Sequence, residues 1–198
     1  MTERRGTATD VEFRAAVRAL DAGGELIAAP DWHTRARSLE LPGLYAWWVD
    51  ERGAADLSGG LAGQVKPGRI YAGQAGATKW PSGEVGRATL RSRISSQHWG
   101  GNVRGSTFRL TLASVLADEL RLPVIGPRNI TRVGESRLSQ WMREHLAVAV
   151  HPFEERDALA DLEHRVLAEL DPPLNLDGRP ASDIRTALRR LRTGMPRS

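Results

Sequence analysis

Leu41-Pro42-Gly43-Leu44-Tyr45-Ala46-Trp47-Trp48-Val49, a glycine-rich gap, and then Arg69-Ile70-Tyr71-Ala72-Gly73-Gln74-Ala75-Gly76 form the stretch on which the fold turns. Each half is a short aromatic and β-branched run bounded by Gly and Pro, which is the signal for a strand. Together they predict a β-hairpin over 43–49 and 69–74, with a long loop, 50–68, between the strands. The chain's only two tyrosines, Tyr45 and Tyr71, fall one in each strand. Tyrosine favours strands, so ordinary sheet packing also accounts for that placement. Gly73 and Gly76 leave the second strand open to a close backbone approach or a turn.

The chain has 198 residues, room for one domain with appended segments. Hydrophobic content of 40% and charged content of 26% argue for a folded chain rather than a disordered one. The absence of cysteine excludes disulfides and thiolate-ligated zinc, and makes the cytoplasm the expected compartment. No apolar run approaches the roughly 20 residues of a bilayer span, and the N-terminus carries no apolar signal region. No membrane partner is expected. The net charge is +4, and of 28 basic residues only Lys66 and Lys79 are lysines. An arginine-dominated basic chain fits a nucleic-acid partner. A GC-rich coding sequence produces the same enrichment, so composition leaves both readings open.

Around the hairpin, Thr9 or Asp10 caps a predicted helix over 11–20, with Phe13, Val17 and Leu20 on one stripe and Gly23-Gly24 ending it. Residues 25–41 read as a connecting segment. Thr89 caps a helix over 90–98, where Leu90, Arg93, Ile94 and Gln97 share a face and His98 sits at its edge. An inward arginine needs a partner unless it snorkels to solvent. Ser106 caps a helix over 107–120, although the alternation Phe108-Arg109-Leu110-Thr111-Leu112 also permits a strand, and 121–134 reads as loop. Ser136 caps a helix through Leu146 that turns His145 inward as a core histidine, and 147–151 is a third strand. In the helix over 157–170, Leu159, Leu162, Val166, Leu167 and Leu170 form the apolar stripe, and Glu163 falls in its middle. A carboxylate there is paired, for instance with Arg93, or holds a cation, or carries a raised pKa. Pro172-Pro173 stops the helix, and Asn175 can fix local geometry by hydrogen bonds. From Ser182 a basic helix with Arg185, Arg189, Arg190 and Arg192 is expected, either a positive surface for a partner or a solvated face. The fold class is therefore α/β: a small three-stranded antiparallel β-sheet flanked by helices, with extra N- and C-terminal helices. The expected organisation is an N-terminal helical extension over 1–40, a core domain over 41–178 and a basic C-terminal helix over 179–198.

Taken in order, these residues resemble the GIY-YIG nuclease superfamily. Gly43-Leu44-Tyr45 matches its first triplet and Tyr71-Ala72-Gly73 its second. Leu90-Arg91-Ser92-Arg93 fits its Leu-x-x-Arg helix, and Glu163 fits the metal-binding glutamate. Pro173-Leu174-Asn175, with Asn175 twelve residues beyond Glu163, fits the closing segment. The resemblance covers about 41–178, and it is the order of all five elements that makes it specific. It implies a metal-dependent DNA endonuclease. Glu163 would hold Mg²⁺ (or Mn²⁺), and Arg93 would stabilise charge at the scissile phosphate. Tyr45 would be the general base or position the water. Tyr71 would position water or phosphate, His98 would assist proton transfer, and Asn175 would support the site. No small-molecule cofactor is implied. Two departures stand out. The 25 residues between Tyr45 and Tyr71 exceed the step in minimal members. The family's His or Tyr, four residues after the arginine, falls here on Gln97, with His98 one later. Lys79, Arg87, Arg91, Arg104 and Arg109 are the candidate backbone contacts to DNA, with Trp80 and Trp99 as stacking groups. A non-catalytic nucleic-acid-binding module on the same scaffold, or an RNA-cleaving member, is the alternative reading.

Overall fold

A computed structural model describes residues 6–21, 24–61, 63–79, 81–126 and 128–194. Along the chain run α1 (Asp10–Leu20), β1 (Ile27–Ala28), α2 (Ala29–Arg35), β2 (Gly43–Val49), α3 (Glu51–Leu61) and β3 (Gly68–Ala75). A π-helix (Ser92–Trp99) follows, then α4 (Thr107–Val115), β4 (Val124–Gly126), β5 (Asn129–Ile130), α5 (Arg132–His145), β6 (Leu146–Pro152), α6 (Arg156–Leu170) and α7 (Asp183–Gly194). The main sheet is antiparallel in the order β1-β6-β2-β3, and β4 pairs with β5 as a separate hairpin. The three-stranded sheet expected from sequence is β6-β2-β3. The two-residue β1, from the N-terminal segment, extends it beyond β6.

Strand β2 is central, and its unbroken apolar run is buried on both faces. Tyr45, Trp47 and Val49 belong to a core shared with α3, α4, α5 and the π-helix. Leu44 and Ala46 belong to a second core shared with α1 and α6. Period-two alternation thus sends two side-chain sets into two layers. The indole of Trp47 stacks on Phe108 at 5.2 Å and meets Trp99 edge-on at 4.8 Å. Thr9 caps α1 through a reciprocal capping box with Glu12, and Ser106 caps α4 by accepting the Arg109 N–H.

Several segments depart from the linear reading. The expected loop 50–68 contains α3, which places Gly53, Ala54, Leu57 and Leu61 in the interior. Its glycines mask a helical pattern, and one has a packing reason. A Cβ on Gly60 would stand 2.0 Å from the Val115 carbonyl oxygen, so only glycine lets α3 approach the end of α4. The expected connector 25–41 contains β1 and α2, with Trp32 buried and its Nε1–H donating to Ser95 Oγ at 2.7 Å. Helix α4 ends at Val115, not Leu120, and the expected loop 121–134 contains the β4–β5 hairpin. Thr131, not Ser136, caps α5. The Ser136 hydroxyl instead donates back to the Arg132 carbonyl inside the helix. His145 does not enter the core; it is half-buried, with Nδ1 3.1 Å from the Asp50 carboxylate. Gly23, expected to end α1, lies outside the described residues. Among the described residues no helix is long and apolar enough to cross a membrane.

Strand β3 is an edge of the sheet, so its outer backbone groups need partners. Asn175 supplies them. Its Oδ1 accepts the Ala72 N–H at 2.9 Å and its Nδ2–H donates to the Ala72 carbonyl at 2.8 Å, as a neighbouring strand would. The Leu174 N–H adds a bond to the Ile70 carbonyl. Arg185, expected on a basic surface, is 3% exposed and points inward from α7. It donates to the carbonyls of Asn175, Pro172 and Pro180 and to the Asp171 carboxylate, holding the segment that carries Asn175. Asn175→Ala is expected to leave both Ala72 backbone groups unpaired, at a cost of about 2–3 kcal/mol. Asn175→Asp keeps an acceptor and loses the donor, so it should restore only part. Urea unfolding of the three chains checks this, and equal midpoints would show that Asn175 does not hold the edge.

Candidate active site

The first functional contact is a buried hydrogen bond. Tyr45 Oη lies 3.0 Å from His98 Nε2, and His98 Nδ1 lies 2.9 Å from Ser106 Oγ. Two local features allow it. Gly73 is the β3 partner of Tyr45 in the sheet, and a Cβ there would stand 2.7 Å from Tyr45 Oη. Glycine therefore leaves the lane in which the phenol lies. The second feature is the π-helix. Its bonds run from residue i to i+5, so each turn takes one residue more than an α-helix. The residue five on from Arg93 comes round to the face that the fourth would occupy in an α-helix. The spacing that singled out Gln97 assumed α-helical geometry. In the π-helix His98 reaches Tyr45, and Gln97 Oε1 instead accepts a hydrogen bond from Arg93 Nη1. The helix is opened by Thr89 and Ser92, whose side chains each take part in a bond to the other's backbone.

Arg109, a candidate DNA contact by sequence, is wholly buried and closes the far end of this arrangement. Its guanidinium donates to the His98 carbonyl at 2.7 Å, pairs with Glu135 at 2.7 Å and reaches Ser139 Oγ at 2.9 Å. Wholly buried, with both Nη groups bonded to the π-helix and α5, it has no surface to offer a nucleic acid. Trp99 is likewise 6% exposed and packed on Trp47, so it offers no stacking face. Lys79, Arg87, Arg91 and Arg104 are exposed, Lys79 being paired with Glu84 and Arg91 with Glu40. Trp80 lies outside the described residues.

At the rim of β3 the two layers meet. Tyr71, Glu163 and Asn175 line one cleft of about 410 Å³, together with Thr111 of α4, Asp177, and Arg192 of α7. The Tyr71 ring rests against Phe108 at 4.7 Å. Arg93 lies close enough to Tyr45, Tyr71, His98 and Glu163 to act on the charge of each. No ion pair joins Arg93 to Glu163 among the described residues, and the Arg93 Nε is buried without a partner. The inward arginine and inward glutamate are thus neighbours that do not neutralise each other by contact.

The electrostatics follow from burial. Burial pushes the Glu163 carboxyl up from its ordinary 4.5 to about 7, against the pull of Arg93. Burial, reinforced by Glu163, pushes Tyr71 up to about 12. Burial, reinforced by the neighbouring Tyr71, raises Tyr45 well above the usual tyrosine value. Burial, with Arg93 and Arg109 adding positive charge, drives His98 down to about 3, so its imidazole is neutral at pH 7. Glu163 is a carboxylate short of positive charge. Such a group fits one hard divalent cation whose other positions take water and phosphate oxygens. Among the described residues no cluster of three or more His, Asp or Glu offers a fuller cage, so Glu163 would be the principal protein ligand.

The linear reading did not single out Ser106 as more than a cap, nor Asp177, and it placed Arg192 in a basic tail. Nothing in their spacing marks them, because the groups they meet belong to other elements.

A family model described as the GIY-YIG catalytic domain matches residues 43–194. The chain belongs to the GIY-YIG family, and its catalytic domain is that of a nuclease, an enzyme that hydrolyses phosphodiester bonds. The match begins at the first residue of β2 and runs through α7. No curated protein and no solved structure matches the chain.

Because its folded pKa is raised, Glu163 contributes stability that is fully present below pH 4.5 and lost as pH rises through about 7. In EDTA, Glu163→Gln should therefore match the wild type near pH 4.5 and exceed it above pH 7, by on the order of 3 kcal/mol. His98 acts oppositely: its folded pKa is depressed, so its contribution is lost as pH falls from 6.5 toward 3. Both chains share His98, so their difference isolates Glu163. Urea unfolding across this range reads the effect, and parallel curves would contradict it.

Proposed function

We propose that the protein is a divalent-metal-dependent endonuclease that hydrolyses phosphodiester bonds in DNA. The observation that carries this reading is that Arg93, an arginine short of partners, stands close enough to act on the charge of the unpaired Glu163 carboxylate, of Tyr71 and of the buried Tyr45–His98 pair. A core built for stability alone would neutralise or exclude these groups. The basic net charge of +4 and exposed Arg87 and Arg104, with Lys79 and Arg91, favour a polyanionic partner.

In this mechanism Arg93 binds the scissile phosphate with its forked donors and stabilises the charge that develops on it. Gln97 holds that guanidinium in place. Tyr45 orients the attacking water and takes its proton while passing its own hydroxyl proton to His98 Nε2. The tautomer this requires carries its proton on Nδ1, donated to Ser106 Oγ. A phosphate drawn to Arg93 offsets part of the positive charge that depresses His98, which raises the basicity of the imidazole once substrate is bound. Tyr71, kept neutral, donates its hydroxyl to water or a phosphate oxygen. Asn175 keeps Ala72, and with it Tyr71 and Gly73, in register. A divalent cation such as Mg²⁺ or Mn²⁺, held by Glu163, would supply positive charge against the phosphate and the departing oxygen.

Incubation of the protein with plasmid DNA, single-stranded DNA and RNA, in Mg²⁺ or Mn²⁺ and in EDTA, tests the reading. Cleavage of DNA that EDTA abolishes is expected. Tyr45→Phe, Arg93→Ala and Glu163→Gln should each lower the rate by at least about a hundredfold. At subsaturating Mg²⁺ the rate should climb as pH rises through about 7, because the cation competes with the proton on Glu163. Cutting by Glu163→Gln in EDTA would sink the mechanism, and cutting of RNA alone would replace the substrate. Tight binding to DNA without any cleavage would favour a binding module.

A further inference from the structure

The cleft that holds Tyr71 and Glu163 contains a cation the mechanism above does not use. Arg192, near the end of α7, lines it opposite α6, and its side chain is half-buried. No ion pair or hydrogen bond engages its guanidinium among the described residues, although Asp177 and Tyr71 lie near enough to act on its charge. Thr111 of α4 also lines the cleft, its hydroxyl fully buried and without a hydrogen-bond partner. Arg128, exposed in the β4–β5 turn, stands close enough to add to the positive potential at Arg192. Burial, with Arg128 adding to it, holds the Arg192 guanidinium below its usual range, against the pull of Asp177 and Tyr71.

A half-buried guanidinium without an anion is costly unless a ligand supplies one. Its planar fork matches the oxygens of a phosphate. We propose that Arg192 forms a second phosphate-binding subsite in this cleft that grips a backbone phosphodiester flanking the one held by Arg93. The proposal rests on the nuclease reading and adds to it a positioning residue from α7. Arg93 and Arg192 both stand close enough to Tyr71 to act on its charge, so two phosphates held by them would fix the register of the strand across the β3 rim. Neutralising one phosphate accounts for the role of Arg192, and a surface arginine on the same helix such as Arg189 does not share it.

The test uses the full chain in a Glu163→Gln background with Mg²⁺, and a short fluorescently labelled DNA duplex and its single strand. Anisotropy is read over a salt series. Arg192→Ala should weaken binding about tenfold and lower the slope of log affinity against log salt by about 1. Arg192→Lys should retain most of the slope, and Arg189→Ala should leave affinity nearly unchanged. With Glu163 intact, Arg192→Ala should raise KM far more than it lowers kcat. Melting temperature separates this from a structural role, because removing an uncompensated charge leaves the fold as stable or more so. Wild-type affinity and slope in Arg192→Ala would overturn the subsite while leaving the nuclease reading intact. So would a fall in melting temperature with affinity per folded molecule unchanged. If the unsubstituted chain neither cuts nor binds any nucleic acid, the nuclease reading fails and the subsite with it.

Discussion

The hydrogen bond between Tyr45 and His98 sets terms for everything around it. Both groups are buried, and a buried polar atom left unpaired costs about 1–3 kcal/mol, so each must find its partner from a separate part of the chain. That demand reaches outward. Gly73 must lack a side chain so that the phenol can cross β3. The helix after Thr89 must widen to a π-helix so that His98 faces the sheet. Ser106 must begin α4 within reach of Nδ1, and Arg109, one turn later, must take the carbonyl of His98. The π-helix is tied in by a chain of hydrogen bonds running from β2 to α5.

The edge of the sheet sets a second constraint. A bare edge would leave β3 open to water or to another chain, and the chain closes it with its own segment after α6. Asn175 acts as a one-residue strand, and Arg185 fastens that residue's segment from α7. Closing the edge this way leaves a cleft beside it in place of a packed wall. Glu163, Tyr71 and Arg192 meet there, from α6, β3 and α7. Under the proposed nuclease function, a phosphate ester and a cation bound there would supply what Arg192 and Glu163 lack. Local inconsistency with stability is a common mark of a functional site.

The groups that stood out in the linear chain did so by breaking a pattern. Glu163 interrupts a leucine stripe and Arg93 an apolar helix face, and both prove half-buried without an ion pair between them. Arg109 was legible only as a charge, and the charge turned out to be structural, since a guanidinium with five donors can also organise an interior. Helix α3 escaped because glycine and serine dilute its apolar pattern, although packing against α4 requires a glycine there. Arg192 and Ser106 escaped because their meaning depends on groups from other elements.

From sequence alone came the hairpin strands and the third strand, with the two tyrosines assigned to them. The helix caps at Thr9, Thr89 and Ser106 and the order of Tyr45, Tyr71, Arg93, Glu163 and Asn175 were equally legible. These rest on local rules: strand propensity, capping chemistry and the period of apolar residues. Tertiary structure decided which polar residues meet. It placed His98 rather than Gln97 against Tyr45, because the pitch of a helix under packing constraint is not written in residue spacing. It turned Arg109 and Arg185 inward and left Arg192 facing the cleft, because an arginine's role is set by the anions, carbonyls or solvent that other segments bring to it.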